Sequence, residues 1–179
     1  MNIADTITKL IEIEGGYSND KNDSGGETRY GITVAVARAF GYAGAMATMP
    51  QSIARSIYAE RYWHQPRFSD VAQHSAEIAE ELLDTGVNMG TGIAGRFLQR
   101  ALNTLNQEGR TFPDMVVDGN IGSMTLAALS AYLKARGKPG EVVLLRMLNG
   151  QQSVRYMEIA EARASQESFM FGWQSNRVG

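Results

Sequence analysis

Apolar residues recur at helical spacing along almost the whole chain, and together with Gly and Pro punctuation they predict helices over 2–14, 33–40, 51–63, 76–89, 93–106, 122–136 and 140–164. In the first of these, a step of about 100° per residue gathers Ile3, Ile7, Leu10 and Ile11 on one arc and turns Asp5, Lys9 and Glu12 away from it. Two segments break the pattern. Residues 15–31 are rich in Gly, Asn, Asp and Ser, which favour turns and positive φ, so a loop or short hairpin is expected there. Residues 107–122 contain Gly109, Pro113, Gly119 and Gly122 and divide the chain into 1–106 and 107–179, as two lobes or one compact domain. The fold class is therefore mainly α, with a Gly-rich loop or short hairpin after the first helix.

Glu14 is the residue that asks for a chemical reason. On the helical projection it falls in the middle of the first helix's apolar stripe, where a carboxylate is costly unless paired, hydrogen-bonded or protonated. Gly15 and Gly16 end the helix immediately after it, so the negative end of the helix dipole opposes its charge. Both effects raise its pKa, and a carboxylic acid held protonated near neutral pH is what a glycosidase uses to protonate a leaving glycosidic oxygen. A buried Glu neutralised by Arg29, or a helix that ends early and exposes it, accounts for the position equally well. The second polar group of a glycosidase is sought in the Gly-rich loop. Asp23, nine residues on, is the first candidate and Asp20 its competitor; Thr28 is placed to hold a water or a sugar hydroxyl, although all three also suit turns for local reasons.

Composition narrows the field. The 179 residues are 44% hydrophobic and 20% charged, ordinary globular usage. No cysteine is present, which removes disulfides, thiolate metal sites and cysteine nucleophiles. His64 and His74 lack metal-ligand spacing, so no cofactor or metal is expected. The net charge of −2 argues against a nucleic-acid partner, and its distribution is uneven: seven basic and twelve acidic residues precede position 90, ten and seven follow. Charges interrupt the apolar N-terminal run, so neither a signal peptide nor a membrane span is read there.

Among the remaining candidates, Tyr58, Tyr62, Trp63 and Phe68 suit core packing or support of a groove. Glu80, Glu81 and Asp84 are expected in solvent, because Leu82, Leu83 and Val87 set the apolar side of their helix. Asn88, in the glycine-punctuated run from Asp84 to Gly95, is placed to bond an acetamido group in a groove opposite Glu14. Trp173 either stacks on a sugar face or docks the C-terminal segment.

The run EGGYSNDKNDSGGETRYGIT, residues 14–33, resembles the opening motif of glycoside hydrolase family 108, the bacterial and phage N-acetylmuramidases that include endolysins and secretion-associated muramidases. Phe97 to Asn103, followed by Val117 to Leu126, is similar to the predicted peptidoglycan-binding region of the same family, and FMFGWQSNR, 169–177, resembles the family's ending. The resemblance implies a lysozyme-like helical fold with a catalytic region in 1–106 and a peptidoglycan-binding-like region in 107–179. It implies Glu14 as the catalytic glutamate and the β-1,4 bond between N-acetylmuramic acid and N-acetylglucosamine as the target. Tyr17, Asp20, Tyr30, Asn88 and Trp173 are then the candidate substrate contacts, and Asp23 and Thr28 the candidate catalytic partners. The spacing from Glu14 to Asp23 is also similar to that of phage-type lysozymes, but Arg29 stands where those carry Thr, and Thr28 precedes it by one. The expected partner is the peptidoglycan glycan strand, met by a monomer made in the cytoplasm and carried to the periplasm or wall by a holin or secretion machinery. A lytic transglycosylase acting on the same bond and a non-enzymatic wall-binding or secretion-assisting protein remain the rival readings.

Overall fold

The computed structural model describes residues 3–14, 16–18 and 26–178. They form a mainly α protein in two compact units, 1–65 and 66–179. In the first unit, α1 (Ile3–Glu14) buries Ile7 and Ile11 and leaves Asp5, Lys9 and Glu12 exposed, as its apolar stripe requires. The helix packs on α3 (Gln51–Ala59), which contributes Ala54, Ile57 and Tyr58 to the same core. Apolar area removed from water at about 25 cal/mol per Å² makes each such fully buried Ile worth roughly 2 kcal/mol.

The Gly-rich segment resolves into a small antiparallel sheet, β1 (Tyr17–Ser18), β2 (Thr28–Arg29) and β3 (Ile32–Thr33), in that order. Arg29 pairs with Ile32, leaving Tyr30 and Gly31 as a two-residue loop with φ of 52° and 69°. Two consecutive left-handed residues are the geometry of a type I′ hairpin, whose twist suits the flanking strands. Gly31 adopts it freely. Tyr30 does so under strain, held by its partly buried ring and by the Tyr58 hydroxyl, which donates to its carbonyl at 2.8 Å. Ile32 then enters the core, and the Thr33 hydroxyl accepts from the Val36 amide to cap α2 (Val34–Ala39). Each residue of Gly31-Ile32-Thr33 thus has a local structural task. Past Ala59 the helix of α3 loosens into a π-helical turn, Glu60–His64, where Tyr62 stacks on Tyr58 at 5.9 Å.

The second unit is built on α5 (Ala76–Met89), which touches α4 (Phe68–Ala72), α6 (Thr91–Leu105) and α7 (Ser123–Ala162). Ser75 caps α5 by accepting from the Ile78 amide and donates to the buried Glu141 of α7, which also pairs with Lys138. The two helices predicted over 122–136 and 140–164 are one helical run broken at Gly137, whose φ of 57° and ψ of −151° lie outside helical space two residues before Pro139. Two helices went unpredicted. Five-residue α4 is too short to show a period, and α8 (Glu167–Arg177) exposes Phe169 and Phe171, so no apolar stripe marks it.

Candidate functional site

Glu14 is the last residue of α1, one turn beyond the buried Ile11. Asp20 and Asp23, like the Glu14 side chain, lie outside the described residues. The sheet fixes other candidates that follow Glu14 in sequence: Tyr17 lies opposite Arg29, and Ser18 opposite Thr28. Tyr17 is exposed, with its hydroxyl donating to Glu27 at 2.7 Å. Thr28 is half-buried and donates to the Gly26 carbonyl at 3.2 Å, which leaves its oxygen lone pairs available as acceptors. The Arg29 guanidinium lies 4.9 Å from the centre of the Tyr30 ring and donates to the Ala47 carbonyl. Tyr17 and Thr28 therefore share one three-stranded sheet after α1, and Tyr30 stands in its β2–β3 turn.

Asn88 and Trp173 belong to the other unit. Asn88 is exposed and donates to the Asp84 carbonyl one turn back at 2.7 Å. Trp173 is half-buried and stacks on Tyr156 at 4.8 Å, with Phe169 at 6.0 Å on the same ring, so it docks α8 onto α7. The later motif is a polar ladder. The Gln99 amide donates to Asp118 and to the Asn120 carbonyl, at 2.9 and 3.0 Å, and accepts from the Gly119 amide at 2.8 Å. One turn on, Asn103 exchanges two hydrogen bonds with the Met115 backbone, and Asn106 donates to Asp114. Residues 107–122 are thereby tied along α6, and Gln99, Asn103, Asp118 and Asn120 of the motif are engaged in holding that loop.

One group was misread from the sequence. Glu80, Glu81 and Asp84 are half-buried rather than solvated, and the buried Gln152 of α7 donates to Asp84 at 2.8 Å. Burial first, and the Asp84 carboxylate second, push the Glu81 carboxyl up to about 7, against a weak opposing bond from Thr85. Nothing local announces this, since Glu81 and Asp84 flank the α5 stripe and the cover arrives from a distant helix. A carboxyl raised from its ordinary 4.5 favours the folded chain while protonated, so its contribution is complete below pH 4.5 and is lost as pH rises through about 7. The loss is on the order of 2 to 3 kcal/mol. The urea midpoint of the wild type should fall between about pH 5 and 7.5, and Glu81→Gln should flatten that fall; parallel profiles would refute the assignment.

Residues 7–90 match the glycosyl hydrolase 108 family model, and residues 93–178 match the model of a predicted peptidoglycan domain. The chain carries a glycosyl hydrolase 108 domain. Every candidate from Glu14 to Asn88 falls within it, while Trp173 and the Gln99–Asn106 ladder fall in the peptidoglycan domain. Among solved structures the chain is similar to SagA of Brucella abortus, with a TM-score of 0.57 and 23% identity over 97% of this chain and 87% of that one, a likeness of fold. No curated protein matches it. The chain is thus a glycoside hydrolase acting on peptidoglycan, in the cell wall. Among the described residues no helix is long and apolar enough to cross a membrane.

Proposed function

We propose that the enzyme is an N-acetylmuramidase, hydrolysing the β-1,4 bond between N-acetylmuramic acid and N-acetylglucosamine with Glu14 as general acid. The observation that carries this reading is the position of Glu14. It closes an amphipathic helix whose apolar face packs into the core of the first unit, and the chain then enters the sheet that holds Tyr17 and Thr28, with Tyr30 in its turn. An acid at a helix C-terminus meets the dipole's negative end, which keeps its proton on at higher pH than in water. That proton goes to the glycosidic oxygen as the bond breaks. Asp23, with Asp20 as the alternative, stabilises the developing positive charge on the sugar ring or activates the water, and Thr28 offers an acceptor to that water or to a sugar hydroxyl.

Tyr17 and Tyr30 supply aromatic and hydroxyl contacts to the sugars. In the cell the monomer reaches its substrate through a holin or a secretion machinery. Mass spectrometry of digested peptidoglycan tests the reaction type. Hydrolysis yields reducing muropeptides one water heavier than the anhydro products of a lytic transglycosylase, and anhydro products alone would overturn the hydrolytic reading.

A further inference from the structure

Two locally unfavourable stretches of backbone lie in the first unit, far apart in sequence, and one side chain joins them. Tyr30 opens the β2–β3 turn at a φ of 52°, a conformation that glycine or asparagine adopts at little cost and that a residue with a large ring resists. The second is the π-helical turn Glu60–His64, closed by the Gln65 amide on the Glu60 carbonyl at 2.8 Å; such turns are rare and interrupt the ordinary helical ladder. Tyr58 touches both. Its ring stacks on Tyr62 of the π turn at 5.9 Å, and its hydroxyl donates to the Tyr30 carbonyl at 2.8 Å.

Core packing does not account for that hydroxyl. The first unit needs the buried Tyr58 ring, and a phenylalanine would fill the same space. The oxygen instead reaches across 28 residues of sequence to the carbonyl of the strained residue. A second anchor holds the same tip, where the Arg29 guanidinium lies 4.9 Å from the centre of the Tyr30 ring and donates to the Ala47 carbonyl. The hairpin tip is thus tied to α3 and to the 3-10 turn Met46–Thr48, while the Tyr30 side chain stays half-exposed. Backbone strain persists only where the surroundings over-determine it, and it gathers at functional sites.

We infer that Tyr58 is a positioning residue for glycan binding: its hydroxyl holds Tyr30 in the left-handed conformation that presents the Tyr30 ring to a sugar. The inference rests on Tyr30 meeting the glycan strand. Without the hydrogen bond the turn relaxes part of the time, and the apparent affinity falls by the fraction of molecules that keep the competent turn.

Steady-state muropeptide release from purified peptidoglycan tests this in Tyr58→Phe, which keeps the ring and its stack. The apparent KM should rise about three- to ten-fold with kcat nearly unchanged, the signature of lost ground-state binding. A purely structural role would instead lower kcat through the fraction of folded enzyme and leave KM alone. Tyr132→Phe is the control, because the buried Tyr132 hydroxyl makes a comparable bond to the Gly140 carbonyl, at 2.9 Å, in the second unit; it should melt lower but keep the wild-type KM. Tyr30→Gly removes both the strain and the ring, so adding Tyr58→Phe to it should raise KM no further. An unchanged KM in Tyr58→Phe, or a rise that persists in full on the Tyr30→Gly background, would overturn the inference. Calorimetric binding of an N-acetylglucosamine oligosaccharide, measured on the Glu14→Gln background, separates this failure from that of the muramidase reading. Affinity that drops with Tyr58→Phe while the wild type releases nothing removes the muramidase and leaves Tyr58 standing, whereas release with an unaltered KM removes only Tyr58.

Discussion

Gly95→Ala is expected to lower the melting temperature by roughly 10 °C. Gly95 is buried in α6, and a Cβ built on it would stand 2.1 Å from the carbonyl oxygen of Gly119 and 2.8 Å from its carbon. Both atoms are backbone, so no rotamer change relieves the clash. Nor can the turn retreat cheaply, because Gln99 grips it through Asp118, Gly119 and Asn120, and Gly119 itself sits at a φ of 88° with its own Cβ position 2.4 Å from the Gly92 carbonyl oxygen. Parting helix from turn exposes those buried polar groups, which together with the strain amounts to about 3 kcal/mol. Gly92→Ala, one turn earlier, is the control: no atom lies within 4 Å of its Cβ position, so it should be neutral or slightly stabilising. Thermal unfolding of the two variants measures both, and a Gly95→Ala melting temperature within a degree or two of the wild type would contradict the close approach described here.

The same glycines mark how far the sequence could be read. Helix α5 has the predicted bounds and α1, α6 and the α3 run nearly so, since each carries its own apolar stripe; the break at Gly137 was announced by Gly137 and Pro139. The hairpin after α1 was legible as turn chemistry, although the strain at Tyr30 was not, because a tyrosine gives no sign of adopting positive φ. What remained hidden depends on partners remote in sequence. Glu81 and Asp84 read as solvated until α7 covers them, α8 is held by Trp173 stacked on Tyr156, and Gly95 looks like any helix glycine until the Gly119 turn arrives. Of the candidate residues, what was legible is placement: α1 ends at Glu14 as the glycines after it predict, and Tyr17, Thr28 and Tyr30 fall in the strands and hairpin turn that follow; the bond from Tyr58 to the Tyr30 carbonyl was not legible, since only the meeting of α3 with the hairpin makes it.

The proposed role of Glu14 carries the largest functional expectation. Gln has nearly the same shape and keeps the hydrogen-bonding capacity, but it has no acidic proton to give, and a positioned general acid typically contributes a hundred- to ten-thousand-fold, roughly, to the rate. The fold should not suffer, because the core of the first unit rests on Ile7, Ile11 and their partners. Where Glu14 is protonated the two proteins should be equally stable, and where it is ionised the loss of a negative charge from the end of α1 should raise stability by roughly several tenths of a kcal/mol, as expected where a residue serves chemistry at the expense of stability.

The most direct measurement is the release of soluble muropeptides from purified peptidoglycan by the wild type and by Glu14→Gln at matched concentration, with the melting temperature of each recorded. The account predicts release by the wild type, a loss of about a hundred-fold or more in the variant, and a melting temperature at least as high. Equal release by the two proteins would remove Glu14 from the mechanism and contradict the central claim.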